Sequence, residues 1–265
     1  MCYTLVRGVR LYFEEHGSGP CLVVAHGLLG SVATASVVNA ARLAESGLRV
    51  IAYDARGHGL SEYSQRHEDY SWAALAEDLR ELMNALGIER ASVCGTSMGA
   101  GTALMLALTQ PSRVERLILR SPPPFAKDLL PVRRRMSSLA SLCRYLGIPL
   151  TAGIVGLLSG SLEQARTIAA QRRAALLPAI HGLLAAGAQI PSDRLSEVRA
   201  PTFILCHRGD AMHPLRSGEL LRAGISGASL HIAPSAEYWR ENPNAFCKLV
   251  ASYVKADPSA TSAGR

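Results

Sequence analysis

Aromatic residues make up only 5% of this 265-residue sequence, and charged residues only 18%. With 48% of the chain apolar, so little charge excludes a globally disordered polypeptide. No window holds the eighteen or more uninterrupted apolar residues of a membrane-crossing helix; the longest greasy stretch, Gly147–Leu158, is broken by Gly and Pro. The net charge is +7 and the pI about 9.3. Yet the basic residues are scattered, apart from short clusters at Arg133–Arg135 and Arg172–Arg173, and aromatics do not interleave with them. That pattern fits a solvated basic surface rather than a nucleic-acid site. The cysteines (Cys2, Cys21, Cys94, Cys143, Cys206, Cys247) contain no C-x-x-C pair, which argues against a zinc site and for reduced, mostly buried thiols in a cytoplasmic protein. The N-terminus lacks a charged region followed by an apolar one, so no signal peptide is expected.

What is present is an alternation of short apolar runs and helical patterns. Val9–Glu15 alternates apolar and polar residues, as an edge or half-exposed strand would. Cys21–Ala25, Val50–Tyr53, Ala91–Cys94, Leu117–Leu119 and Thr202–Cys206 are continuous apolar runs suited to strands buried on both faces of a parallel sheet. Ser71–Leu86 opens with a Ser N-cap, spaces Leu75, Leu79, Leu82 and Leu86 at threes and fours, and stops at Gly87. Gly99–Thr109 is a small-residue helix ending before Pro111. This succession predicts an α/β fold, a doubly wound and mostly parallel sheet with right-handed crossovers. From Pro122 the strands cease, and helical stretches follow at Arg133–Tyr145, Leu162–Leu177 and Ala179–Gln189. The chain therefore reads as a core of residues 1–121 and 195–255, a helical insertion over 122–194 and a frayed tail at 256–265.

Gly95-Thr96-Ser97-Met98-Gly99 joins a buried strand to the small-residue helix. A serine on so tight a turn projects its hydroxyl over the sheet edge, and glycines on either side leave room for neighbouring backbone. Ser97 also stands at a helix N-terminus, where partial positive charge favours a developing anion, and the Met98 N–H faces the carbonyl that Ser97 would attack. His26-Gly27-Leu28-Leu29-Gly30 follows another strand, where the Leu28 N–H would supply a second oxyanion-hole donor. Tyr53–Ser61, containing Asp54, Arg56, Gly57, His58 and Gly59, follows a third.

These three segments, in this order and spacing, resemble the α/β-hydrolase fold, and within it the small capped esterase, lipase and C–C-hydrolase-like branch. The resemblance covers about Val9 to Val254. It implies a helical cap, no cofactor, no metal, and a catalytic acid after the strand that follows the cap. Asp210, in Gly209-Asp210-Ala211-Met212-His213-Pro214, stands at that place.

The resemblance also implies a histidine after the final strand, and there the pattern breaks. Counted back from Pro243, that position is Ala236; counted forward from the strand, it is Glu237; no histidine follows His231. A serine hydroxyl without an adjacent base is a weak nucleophile. His213 lies only three residues past Asp210, a short spacing for a relay, with capping of the next helix as its bland alternative. Glu237 would serve as base if burial raised its pKa. His26, His58 and His207 read as structural, and His181 as a cap residue that faces the pocket or the solvent. Cys94 reads as a small core hydrophobe. Arg133–Arg135 would greet an anionic substrate or form a solvated helix face.

The expected activity is hydrolysis of an ester or related acyl bond in a small apolar substrate, through Ser97 and the Met98 and Leu28 amides. The missing histidine keeps two alternatives open: a lyase, decarboxylase or cyclase on the same scaffold, and a ligand-binding protein without turnover. The expected partner is a small-molecule substrate, with no nucleic acid and no membrane.

Overall fold

The computed structural model describes residues 2–34, 38–125, 129–159, 162–184 and 190–256, with no side-chain description at 159 and 162–164. An eight-stranded sheet is built from β1 (Cys2–Val6), β2 (Val9–His16), β3 (Cys21–Ala25), β4 (Arg49–Tyr53), β5 (Ala91–Thr96), β6 (Val114–Arg120), β7 (Thr202–His207) and β8 (Ser229–Ala233). Its order is β1-β2-β4-β3-β5-β6-β7-β8. β2 runs antiparallel to β1 and β4, and every other pairing is parallel. Val9–Glu15 is therefore not an edge. The mostly exposed β1 flanks it, a strand that its weak apolar pattern hid.

Helices cover both faces. α2 (Trp72–Ala85), α3 (Met98–Thr109) and α8 (Leu215–Gly224) pack on one, with Leu75, Leu79, Leu104 and Leu221 in the core. α1 (Ala40–Glu45), α9 (Ala236–Glu241) and α10 (Pro243–Lys255) pack on the other, around Leu43, Trp239, Phe246 and Val250. The Ser71 hydroxyl accepts the Ala74 N–H at 3.2 Å, the cap expected of α2. α3 is buried nearly along its length because its small residues let neighbours approach. A Cβ on Gly101 would fall 2.4 Å from the Trp72 ring.

Between β6 and β7 the chain leaves the sheet for α4 (Leu129–Leu146), α5 (Ile148–Ser159), α6 (Leu162–Ala169) and α7 (Arg173–Leu184). Leu139, Cys143, Ile148, Ile168, Leu176 and Ile180 form a separate small core there. Two expectations need correction. Most of the greasy stretch forms a helix, Ile148–Ser159, its Pro149 sitting in the first turn where no intrahelical N–H is needed. The break between the later helices falls at residues 170–172, not at Pro178, which lies inside α7. The reason is tertiary: Arg172 leaves the helical path to give its guanidinium to the carbonyls of Gly59 and Ser61 and to the Tyr63 ring. The expected helix over residues 185–189 and the expected tail beyond Ala256 lie outside the described residues. Among the described residues, no helix is long and apolar enough to cross a membrane. The cysteines are free; Cys94, Cys143, Cys206 and Cys247 are buried, Cys21 is half-buried and Cys2 exposed.

Candidate active site

Ser97 occupies the sharp bend between β5 and α3, at φ 52° and ψ −109°, a backbone conformation that L-residues other than glycine rarely hold. The flanking glycines make the bend possible. A Cβ on Gly95 would meet the Gly99 carbonyl oxygen at 2.2 Å, and one on Gly99 would meet the Ala25 carbonyl oxygen at 2.1 Å. The bend is held from below, where the Ser97 N–H donates to the Arg120 carbonyl at 3.0 Å. Met98 begins α3, so its N–H has no intrahelical acceptor. Across the cavity, the Gly30 N–H closes a turn on the Gly27 carbonyl at 2.8 Å, and Leu28 takes the first corner, where the turn does not use its amide.

The loops around this bend are braced by buried polar groups. His26 Nε2 accepts the Ala55 N–H at 2.9 Å, which leaves the proton on Nδ1, donating to the Gly27 carbonyl at 2.7 Å. The His26 and His58 rings lie 5.0 Å apart, and burial pushes their pKa values down to about 4 and about 3, so both are neutral. Asp54 accepts the Val32 N–H at 2.6 Å and the Leu60 N–H at 2.8 Å, joining the loops after β3 and β4. Arg56 and Asp78 form a buried two-pronged pair, both contacts 2.8 Å.

His213 reaches Ser97. Its Nε2 lies 2.7 Å from Ser97 Oγ and its Nδ1 2.9 Å from Asp210 Oδ2. The short spacing that made this arrangement awkward on paper is what the loop exploits. The backbone N–H groups of Met212 and His213 both curl onto Asp210 Oδ1 at 2.9 Å, an Asx-type turn that reverses the chain within three residues. The His213 side chain is thereby returned to the other oxygen of the same carboxylate. Burial alone would raise the Asp210 carboxyl, but contacts from His207, His213 and the Met212 amide hold it well below the usual carboxylate range.

Glu237 does not belong to this group. It sits in the first turn of α9, exposed, with Arg240 at 2.6 Å. Backbone amides, Ser235 and Arg240 lower its pKa, the opposite of the shift that a carboxylate base requires. The reason is the Ser235 cap, which starts a helix in place of a loop turned inward. His207 was read as structural, but it stands against the acid, its Nε2 3.0 Å from Asp210 Oδ2. The signal was the H-x-x-D-x-x-H spacing of His207, Asp210 and His213. His181 borders a surface groove with Gln65 and His67 rather than the Ser97 cavity. Arg133, Arg134 and Arg135 are exposed, and Arg135 donates to the Ala211 carbonyl at 2.5 Å, tying α4 to the Asp210 loop. Burial pushes the Cys94 thiol up to about 12, far from a nucleophile.

Ser97, Met98, Leu28 and His213 open into a cavity of about 90 Å³ walled mainly by Trp72, Phe125, Val132, Met136, Ile180 and Met212. Ser97 and His213 bring nearly all of its polar groups, and among the described residues no Lys, Arg, Asp or Glu lines it. Among the described residues, no cluster of three His, Cys, Asp or Glu could hold a metal ion.

Residues 20–147 match the family model described as the alpha/beta hydrolase fold. A 2-hydroxy-6-oxononadienedioate/2-hydroxy-6-oxononatrienedioate hydrolase of Comamonas testosteroni is 28% identical over 92% of this chain and 91% of its own length. An uncharacterized protein of Mycobacterium tuberculosis is 39% identical over 127 residues, which is 48% of this chain and 36% of that protein. The chain thus matches about a third of the length of that relative. Among solved structures, the enol-lactonase of Burkholderia xenovorans LB400 superposes with a TM-score of 0.80 at 23% identity, covering 96% of this chain and 100% of that one. An esterase from Exiguobacterium antarcticum superposes with a TM-score of 0.81 at 23% identity, covering 96% and 99%.

Proposed function

We propose that the chain, which has the α/β-hydrolase fold and matches that family's model over residues 20–147, is a serine hydrolase cleaving the ester of a small, neutral, apolar acyl group. The observation that carries this reading is the single line of contacts from Ser97 Oγ through His213 to Asp210. Residues 122–194 act as a cap over a core of residues 1–121 and 195–255.

His213 Nδ1 carries a proton toward the Asp210 carboxylate, which leaves the Nε2 lone pair facing the Ser97 hydroxyl. As Ser97 Oγ attacks the ester carbonyl, its proton passes to Nε2. The oxyanion forms against the Met98 and Leu28 N–H groups, and the partial positive charge at the start of α3 adds to them. The imidazolium then gives its proton to the departing alcohol, leaving an acyl group on Ser97. Water attacks that acyl group, His213 takes its proton, the carboxylic acid departs, and the proton returns to Ser97.

The lining speaks to the substrate. The Comamonas relative is named for dienedioates, which carry two carboxylates. Burying a carboxylate among Phe125, Val132 and Ile180, with no cation among the described lining residues, costs several kcal/mol. That cost favours a neutral ester and disfavours a dicarboxylate. The absent histidine after the last strand is what favours a lyase or a silent binder, and the His213 contact to Ser97 supports the hydrolase reading over both. A fluorophosphonate probe is expected to label Ser97 in the wild type and not in Ser97→Ala, with p-nitrophenyl butyrate turned over well ahead of a succinate half-ester. An intact, folded protein that neither labels nor turns over short neutral esters refutes the reading.

A further inference from the structure

Asp210 carries a second imidazole. His207 ends β7, and its Nε2 lies 3.0 Å from Asp210 Oδ2, the same oxygen that receives His213 Nδ1 at 2.9 Å. Both the His207 and the Asp210 side chains are only 12% exposed. The other nitrogen, His207 Nδ1, lies 3.1 Å from the Arg208 carbonyl oxygen. A carbonyl oxygen only accepts, so Nδ1 must carry a proton. A bare Nε2 would then set a lone pair against a buried carboxylate oxygen, two negative ends at 3.0 Å. A proton on Nε2 turns that repulsion into a charge-assisted contact.

We propose that His207 is a positioning residue held as an imidazolium, so that the candidate acid Asp210 is shared by two histidines, one charged and fixed, the other neutral and reactive. The inference deepens the serine hydrolase reading and rests on it. Two consequences follow from the shared oxygen. His207 pins the Asp210 carboxylate from the strand side, while the Met212 and His213 amides pin Oδ1 from the loop side, so the carboxylate plane cannot rotate away from His213. The fixed positive charge also opposes the second one that forms on His213 when it takes the Ser97 proton. Asp210 in turn raises the pKa of His207 through their contact, against the opposing effects of burial and of Arg120, the cation at the end of β6. Arg120 is nearly buried and is itself made less basic by that burial.

Two measurements test this. In the 15N spectrum of wild-type protein with labelled histidines, both His207 ring nitrogens are expected to be protonated at pH 7; one bare nitrogen there overturns the proposal. In His207→Gln, which keeps an N–H donor but loses the charge, the acid limb of the kcat/KM profile for p-nitrophenyl butyrate is expected to move up by about one pH unit. An unmoved limb overturns the proposal too, even if the plateau falls, since a merely structural residue would lower the plateau alone. The nitrogen spectrum needs no turnover. A protein that fails to label with fluorophosphonate refutes the hydrolase reading and leaves the charge state of His207 measurable.

Discussion

Replacing His213 with alanine tests the base proposed above. Among the described residues, the imidazole is the only ring bonded to Ser97 Oγ, at 2.7 Å, and the remaining described cavity wall is almost entirely apolar. No neighbouring side chain in that wall can take over the proton. Removing the base of such a unit costs on the order of 10⁶ in turnover, while the oxyanion hole and substrate binding leave a remainder. A factor of 10⁶ corresponds to roughly 8 kcal/mol of lost transition-state stabilisation. Stability is expected to change little, because the His213 side chain is 21% exposed and its hydrogen bonds are confined to its own loop and Ser97. The assay is kcat/KM for p-nitrophenyl butyrate, read beside the melting temperature and beside Glu237→Gln. The glutamate variant is expected to match the wild type, since that carboxylate is exposed and paired with Arg240. A His213→Ala enzyme within tenfold of wild type refutes the reasoning, and so does a Glu237→Gln enzyme that loses as much as His213→Ala.

Other outcomes follow from the packing. Gly99→Ala places a methyl 2.1 Å from the Ala25 carbonyl oxygen, so chemical denaturation is expected to show a loss of about 3 kcal/mol or more, with Ser97 labelling lost as well. Asp78→Ala strands the buried Arg56 guanidinium and is expected to cost about 3–5 kcal/mol in the same assay, whereas Arg194→Ala, an exposed pair with Glu197, should stay within about 1 kcal/mol. His26 and His58 are held neutral with pKa values of about 4 and about 3, below the unfolded value of about 6.5. Their unfolded forms bind the extra protons, so their contribution is complete above pH 6.5 and is lost as the pH falls toward 4. Each adds up to about 1.4 kcal/mol per pH unit to the slope of stability against pH. His58→Gln should flatten that slope, and an unchanged slope would show that these imidazoles are not buried neutral.

Much of the site was legible because its signals are local. The Ser97 bend is written in five residues, since only glycine at 95 and 99 lets the neighbouring backbone come so close. The Ser71 cap, the Leu75–Leu82 stripe and the apolar runs of β3 to β7 likewise report on their own immediate surroundings. The elements misread along the way share the opposite property. β1 is a strand only because β2 pairs with it, and the break before α7 falls where Arg172 finds the carbonyls of Gly59 and Ser61, over a hundred residues earlier in the chain.

The base shows the division most clearly. By itself the sequence determined that a serine would stand on a sharp bend between β5 and α3 and that a carboxylate would follow β7, because backbone sterics and strand burial are set by nearest neighbours. Which histidine completes the line was decided only in three dimensions. Residues 97 and 213 meet because β5 and β7 are brought close in the sheet, with β6 between them, and because one carboxylate bends its own loop back upon itself. Spacing along a chain does not record that reversal; the positions of atoms do.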